Sequence, residues 1–137
     1  MSINSATAHV SLPLNILLAD DSEDDRYFFE RTLRRLGRNT RLFIAEDGDA
    51  AITFLENSAQ PACEHPMVDI IFLDLKMPGR NGFDVLRWMN EKPFRSVKVI
   101  VLSGSQQPAD IKLAKDLGAH GYMVKPATPE SLSEWLK

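Results

Sequence analysis

The stretch DIIFLDLKMPGRNGFDVL, residues 69–86, changes character at a single residue. From Ile70 to Leu73 it is apolar without interruption, as a strand covered on both faces should be. It stops at a carboxylate, Asp74, and the chain turns at once through Met77-Pro78-Gly79. A helical pattern follows from about Phe83 to Asn90, with Val85, Leu86 and Met89 as the burying positions. The unit is a buried strand, an acid at its end, then a helix.

The unit recurs. Apolar runs fall at NILLA (15–19), RLFIA (41–45), VDIIFL (68–73), VKVIVL (97–102) and GYMV (121–124). RLFIA and GYMV are shorter or more mixed, which suits strands near a sheet edge. The first helix, from about Asp24 to Leu36, offers Phe28, Phe29, Thr32, Leu33 and Leu36 as one core-facing stripe, and Gly37 follows as a left-handed C-cap. The second turns Ile52 and Leu55 inward. The fourth opens at Pro108 and closes at Gly118. The fifth has Thr128 as N-cap, Pro129 in the first turn and Glu130 behind it. Five β-α units in succession predict an α/β fold, a doubly wound parallel five-stranded sheet with helices on both faces.

With 137 residues, the chain is long enough to bury roughly two-thirds of its unfolded surface in one domain. The boundaries expected are a flexible tail over 1–13 and one folded domain over 14–137. No apolar run approaches the ~20 residues of a membrane span, and the N-terminus lacks the charged and apolar regions of a secretory signal. A net charge of −3 argues against direct nucleic-acid binding. Cys63 is the single cysteine, which excludes an internal disulfide and fits a reducing, cytoplasmic setting. Cys63 and His65 share a Pro-rich loop, but two ligands fall short of a structural zinc site. His9 and His120 read as tail and turn, and Trp88 and Trp135 as packing residues.

In doubly wound sheets, chemistry collects at the carboxyl ends of the strands. Here those ends carry Asp20-Asp21, Asp74, Ser103 and Lys125-Pro126. Three carboxylates crowded together repel unless a cation intervenes. One lysine leaves the cluster anionic, so a divalent metal is the natural complement, and Mg²⁺ takes this kind of oxygen set. An aspartate beside such a metal can attack phosphorus, and Lys125 with Ser103 would steady the transferred oxygens. Asp74 is thus expected to accept a phosphoryl group.

ILLADDS, DLKMPGRNG, VLSGS and GAHGYMVKP, in that order and each at a strand end, resemble the motifs of a response-regulator receiver domain of two-component signalling. The resemblance covers about residues 14–137. It implies the flavodoxin-like (βα)5 strand order 2-1-3-4-5 and a phosphoacceptor domain, not an enzyme in its own right, that catalyses its own phosphotransfer and autodephosphorylation. On the matching positions, Asp74 is the phosphorylated residue. Asp21, Asp74 and the Lys76 carbonyl ligate Mg²⁺, and Asp20 acts mainly through water. Lys125 pairs first with Asp74 and then with the phosphoryl group, and the Lys125-Pro126 bond is cis. Gly104 leaves room for the donor. Ser103 and Tyr122 form the switch, with Tyr122 rotating from an exposed position into space that Ser103 vacates. Helix four, strand five and helix five then become the readout surface.

The partners implied are a sensor histidine kinase or histidine phosphotransfer protein, docking near Glu23, Asp24 and Tyr27, and a downstream protein target. Homodimerisation on activation through helices four and five is a further expectation. The long connection between Leu55 and Val68 is similar to that of single-domain regulators that partner bacterial phytochromes. No output domain is visible, so a stand-alone regulator or phosphorelay carrier is expected. The alternative is a degenerate receiver that binds partners without phosphorylation. An aspartyl-phosphate hydrolase needs an acid where Lys76 stands, and a flavin carrier needs a phosphate loop where the acidic DDSEDD stands.

Overall fold

The computed structural model describes residues 12–58, 67–92 and 96–136. Most of the expected tail, with His9, lies outside those residues, as do Cys63 and His65. Ten elements alternate: β1 (Leu14–Ala19), α1 (Glu23–Arg35), β2 (Thr40–Ala45), α2 (Gly48–Ser58), β3 (Ile70–Leu73), α3 (Gly82–Asn90), β4 (Lys98–Ser103), α4 (Pro108–Asp116), β5 (Gly121–Val124) and α5 (Pro129–Trp135). Every pairing is parallel and the order is β2-β1-β3-β4-β5, the flavodoxin-like arrangement.

The two-residue period of the strands divides the core into two layers. Leu17, Ala19, Ile71, Leu73, Val99 and Val101 face one side, against Ile52 and Leu55 of α2 and Val85, Leu86 and Met89 of α3. Their neighbours Ile16, Leu18, Ile70, Phe72, Ile100 and Leu102 face the other, against Phe29 and Leu33 of α1 and Leu132 of α5. The inner strands therefore need apolar residues on both faces through their buried stretches, Ile16–Ala19, Ile70–Leu73 and Val99–Leu102, whereas the edge strands leave Ile44 and Val124 partly exposed. Phe29 and Phe72 join α1 to β3 with tilted rings 5.0 Å apart.

Two expectations need correction. Phe28 is 47% exposed rather than in the α1 stripe. Adjacent residues on a helix point about 100° apart, and Phe29 and Leu33 already occupy the line facing the sheet. β3 is also shorter than the apolar run, because Asp69 turns its carboxylate onto the Asn15 N–H, 2.8 Å away, before the strand begins. The caps are as expected: Gly37 has a positive φ of 66°, and Thr128 caps α5 with Pro129 in the first turn. Gly121 earns its place by packing, since a methyl there would run into the indole of Trp135.

Phe72 is fully buried between the sheet and α1. Phe72→Ala should cost about 3–5 kcal/mol, seen as a lower urea midpoint at unchanged slope. A loss below 1 kcal/mol would mean that the Phe29–Phe72 contact is not the join described.

Candidate functional site

The sheet ladder itself delivers the acids. The Asp20 N–H donates to the Ala45 carbonyl at 3.0 Å, and the Asp74 N–H to the Ala19 carbonyl at 2.9 Å. Each acid is thus the first residue past its strand, still held by the neighbouring strand. The Lys125 N–H donates to the Ser103 carbonyl at 2.8 Å, which sets the lysine at the same edge. Alternation then buries Leu75 and Met77 around exposed Lys76. Gly82 opens α3 directly over Asp74: a Cβ there would collide with the Asp74 carbonyl, so only glycine lets the helix start so close.

Asp20 and Asp74 are nearly buried, at 1% and 6% exposure, while Asp21 is exposed. The three place ligand oxygens within 4.8 Å of one another. The Lys125 ammonium lies 2.8 Å from Asp20, 2.8 Å from Asp25 and 3.1 Å from Asp74. The other Asp20 oxygen accepts from the Ser22 N–H at 2.9 Å, and the other Asp74 oxygen from the Lys76 N–H at 3.2 Å. Arg26 braces the loop from α1, donating to the Asp20 carbonyl at 2.9 Å with its second nitrogen 3.7 Å from Glu46.

Burial pushes the Asp74 carboxyl above its ordinary value of 3.8, and the charge of Asp20 adds to the push. The charge and hydrogen bond of Lys125 and the Lys76 N–H pull the other way without prevailing. For Lys125, burial alone would lower the pKa. Hydrogen bonds to Asp20 and Asp25, with the charge of Asp74, instead hold it well above the ordinary lysine range. The ammonium therefore keeps its charge, and burial works against the charged form of Asp74. The donors present are hard oxygens, with one ammonium among them, which fits Mg²⁺ or a cation like it.

Ser103 is fully buried, and its Oγ accepts from the Ser105 N–H at 3.1 Å. Tyr122 differs from the exposed position expected of it. It is half-buried against the α2–α4 layer, and its hydroxyl donates to the Ser105 carbonyl at 2.8 Å. Ser105 also donates from its own Oγ to Asp110 of α4 at 2.6 Å. Lys125-Pro126 is cis, and a Cβ at Gly104 would meet nothing within 4 Å. Tyr27 is 65% exposed, outside the stripe as expected. Sequence reasoning missed Asp25, Arg26 and Ser105. For Asp25 a signal was present, because Ser22-x-x-Asp25 has the form of a capping box.

The model of the response regulator receiver domain matches residues 16–137. The chain belongs to the response-regulator receiver family. Phosphorylation-dependent signalling is general to these domains, which accept a phosphoryl group from histidine kinases, bind a divalent cation at an acidic pocket and act on downstream targets. Among relatives, this receiver is 28% identical to the Arabidopsis thaliana response regulator ARR5 over 92% of its own length and 71% of that protein's. It spans only 62% and 58% of two longer regulators from the same plant. It is 30% identical to response regulator Rcp1 of Synechocystis, covering 82% of this chain and 77% of that one.

The Mn(2+)-bound structure of Rcp1 superposes with a TM-score of 0.74, covering 90% of this chain and 89% of that one at 28% identity. The phosphorylated cyanobacterial phytochrome response regulator RcpA gives 0.76 over 92% and 90%, at 26% identity. Among the described residues of this receiver, no helix is long and apolar enough to cross a membrane.

The raised pKa of Asp74 has a sign. The folded chain takes up this proton more readily than the unfolded one, so stability falls as pH rises from about 3.8 through the folded value and stays lower at neutrality. Asp74→Asn should therefore melt higher than the wild type in EDTA at pH 7. Adding Mg²⁺ should raise the wild-type melting temperature, by about 2.7 kcal/mol of stability at one hundred times Kd, and leave the variant nearly unmoved. Equal responses to Mg²⁺ would remove Asp74 from the metal set.

Proposed function

We propose that this receiver accepts a phosphoryl group on Asp74 from a phosphohistidine in a Mg²⁺-dependent reaction, and passes the change to a protein partner through its α4-β5-α5 surface. The observation that carries the reading is Asp74 itself: a nearly buried carboxylate at a strand end, 3.1 Å from an ammonium and grouped with Asp20 and Asp21.

An Asp74 oxygen attacks phosphorus, and a new P–O bond forms as the P–N bond to the donor imidazole breaks. The electron pair leaves with the imidazole ring, which regains a proton. Lys125 keeps the Asp74 carboxylate oriented beforehand and faces the phosphoryl oxygens afterwards. Its raised pKa keeps it cationic throughout. Ser103 donates its O–H to a phosphoryl oxygen, its Oγ being at present the acceptor of the Ser105 N–H. Asp20, Asp21, Asp74 and the Lys76 carbonyl would hold Mg²⁺, which when bound neutralises charge on the phosphoryl oxygens.

The readout uses Tyr122, whose hydroxyl is joined through the Ser105 carbonyl to the loop that follows Ser103. Docking of the donor falls to α1, where Tyr27 and Phe28 are exposed above Glu23 and Asp24. The likeness to RcpA makes a phytochrome-type histidine kinase the first donor to try. A second reading, a module that binds its partner without phosphorylation, draws on Tyr122 already being turned inward.

Intact mass after incubation with acetyl phosphate separates the two. The wild type should gain about one phosphoryl group with Mg²⁺ and none in EDTA, and Asp74→Asn should gain none in either. No gain by wild type under any condition would sink the phosphoacceptor reading in favour of the second.

A further inference from the structure

Among the described residues four helices open with a side chain that caps the first turn, α2 through Asp47 on the Ala50 N–H, and in the other three, α1, α3 and α5, a polar residue stands where it could close a capping box. In α3 the box is closed: Asn81 accepts from the Asp84 N–H at 3.0 Å, and the Asp84 carboxylate returns to the Asn81 N–H at 3.1 Å. In α5, Thr128 and Ser131 do the same. In α1 only half of the box is made. Ser22 Oγ accepts from the Asp25 N–H at 3.2 Å, but the Ser22 N–H is already taken by Asp20. The Asp25 carboxylate is released from the usual return bond. It crosses instead to Lys125, a hundred residues on in the chain, at 2.8 Å.

An ammonium has three N–H donors. Here the three acceptors are Asp20, Asp25 and Asp74, from the end of β1, the first turn of α1 and the end of β3. The Asp74 contact is the longest of the three. When Asp74 becomes an acyl phosphate, its carboxylate charge is lost and the donor facing it turns to a phosphoryl oxygen. Asp20 and Asp25 keep the other two. The pair that steadies Lys125 during that exchange is therefore one buried acid and one at the mouth of the site, Asp25 being 47% exposed.

We propose that Asp25 is a positioning residue for Lys125 in phosphoryl transfer, tying the first turn of α1 to the reacting end of the lysine. The proposal rests on the reading of Asp74 as acceptor. It makes two effects separable. Losing the tether loosens the ammonium and slows the step at saturating donor. Losing the charge removes repulsion toward an anionic donor and leaves half-saturation equal or lower.

The test follows phosphorylation of the full chain by intact mass over a range of acetyl phosphate concentrations with Mg²⁺. Wild type, Asp25→Asn, Asp25→Glu and Asp74→Asn are compared. Asp25→Asn should lower the maximal rate by about threefold to tenfold without raising the half-saturating concentration, and Asp25→Glu should recover part of the rate. An Asp25→Asn rate equal to wild type overturns the proposal. So does a loss that Glu does not recover. No gain by the wild type itself overturns the Asp74 reading, and the role of Asp25 in transfer falls with it.

A melting-temperature cycle then tests the tether without any chemistry. The loss caused by Asp25→Asn should shrink to less than half once Lys125 is Gln, and full additivity would mean that the pair does not interact.

Discussion

Lys125 is where the demands of this fold meet. Packing on both faces of the sheet makes the inner strands apolar through their buried stretches, and the ladder then delivers Asp20 and Asp74 to an edge with little water. Two carboxylates in such a place would repel and pay for desolvation at once. A single ammonium, reached from a third strand, is set among them at hydrogen-bonding distance. Taking away the ammonium would leave Asp20 and Asp74 facing each other unpaired, the kind of loss that costs about 3–5 kcal/mol when a buried charge is stripped of its counter-ion. The carboxyl edge is thus held shut by one charge, and that charge only partly balances the acids around it. An incomplete balance is what leaves room for a cation.

The same edge is braced from outside the ionic cluster. Gly82 brings α3 onto the backbone of Asp74, and Arg26 ties α1 to the backbone of Asp20. Arg80 and Asp49, 3.1 Å apart, join the loop after Asp74 to the start of α2. Most of the reacting geometry is consequently fixed by main-chain contacts and strand ends. The long side chain of Lys125 is the adaptable member, and in the proposed transfer it is the part that changes partner.

Five strands, their parallel sense and the acids at their ends were readable because burial and backbone pairing repeat along the chain. Ile70 to Leu73 needs no context to be recognised as a fully buried strand, and Asp74 stands out by interrupting it. Phe28 was misplaced because two adjacent phenylalanines both satisfy a loose helical stripe, and only packing against β3 chooses Phe29. Tyr122 was misjudged for a different reason: its rotamer depends on the Ser105 carbonyl, a main-chain group with no signature in residue type. Asp25 was missed although Ser22-x-x-Asp25 has the form of a capping box, and Asp25 fulfils half of that box by donating its N–H to Ser22 Oγ. Its carboxylate goes elsewhere because Asp20 reaches the Ser22 N–H first, a competition that becomes visible only in three dimensions.

Ser105 carries four bonds: its N–H to Ser103, its carbonyl from Tyr122, and its hydroxyl, which donates to Asp110 and accepts from the Gln107 N–H. The first two belong to the backbone and survive a change of side chain at this position. The hydroxyl's two do not. Substitution at 105 therefore leaves the pairing of hydroxyl and ring in place while loosening α4 from it. If Ser103 and Tyr122 act as the proposed switch, the side chain at 105 sets how firmly the outer helix follows it while the main chain keeps the two joined, a division between fixed wiring and tunable linkage within one residue.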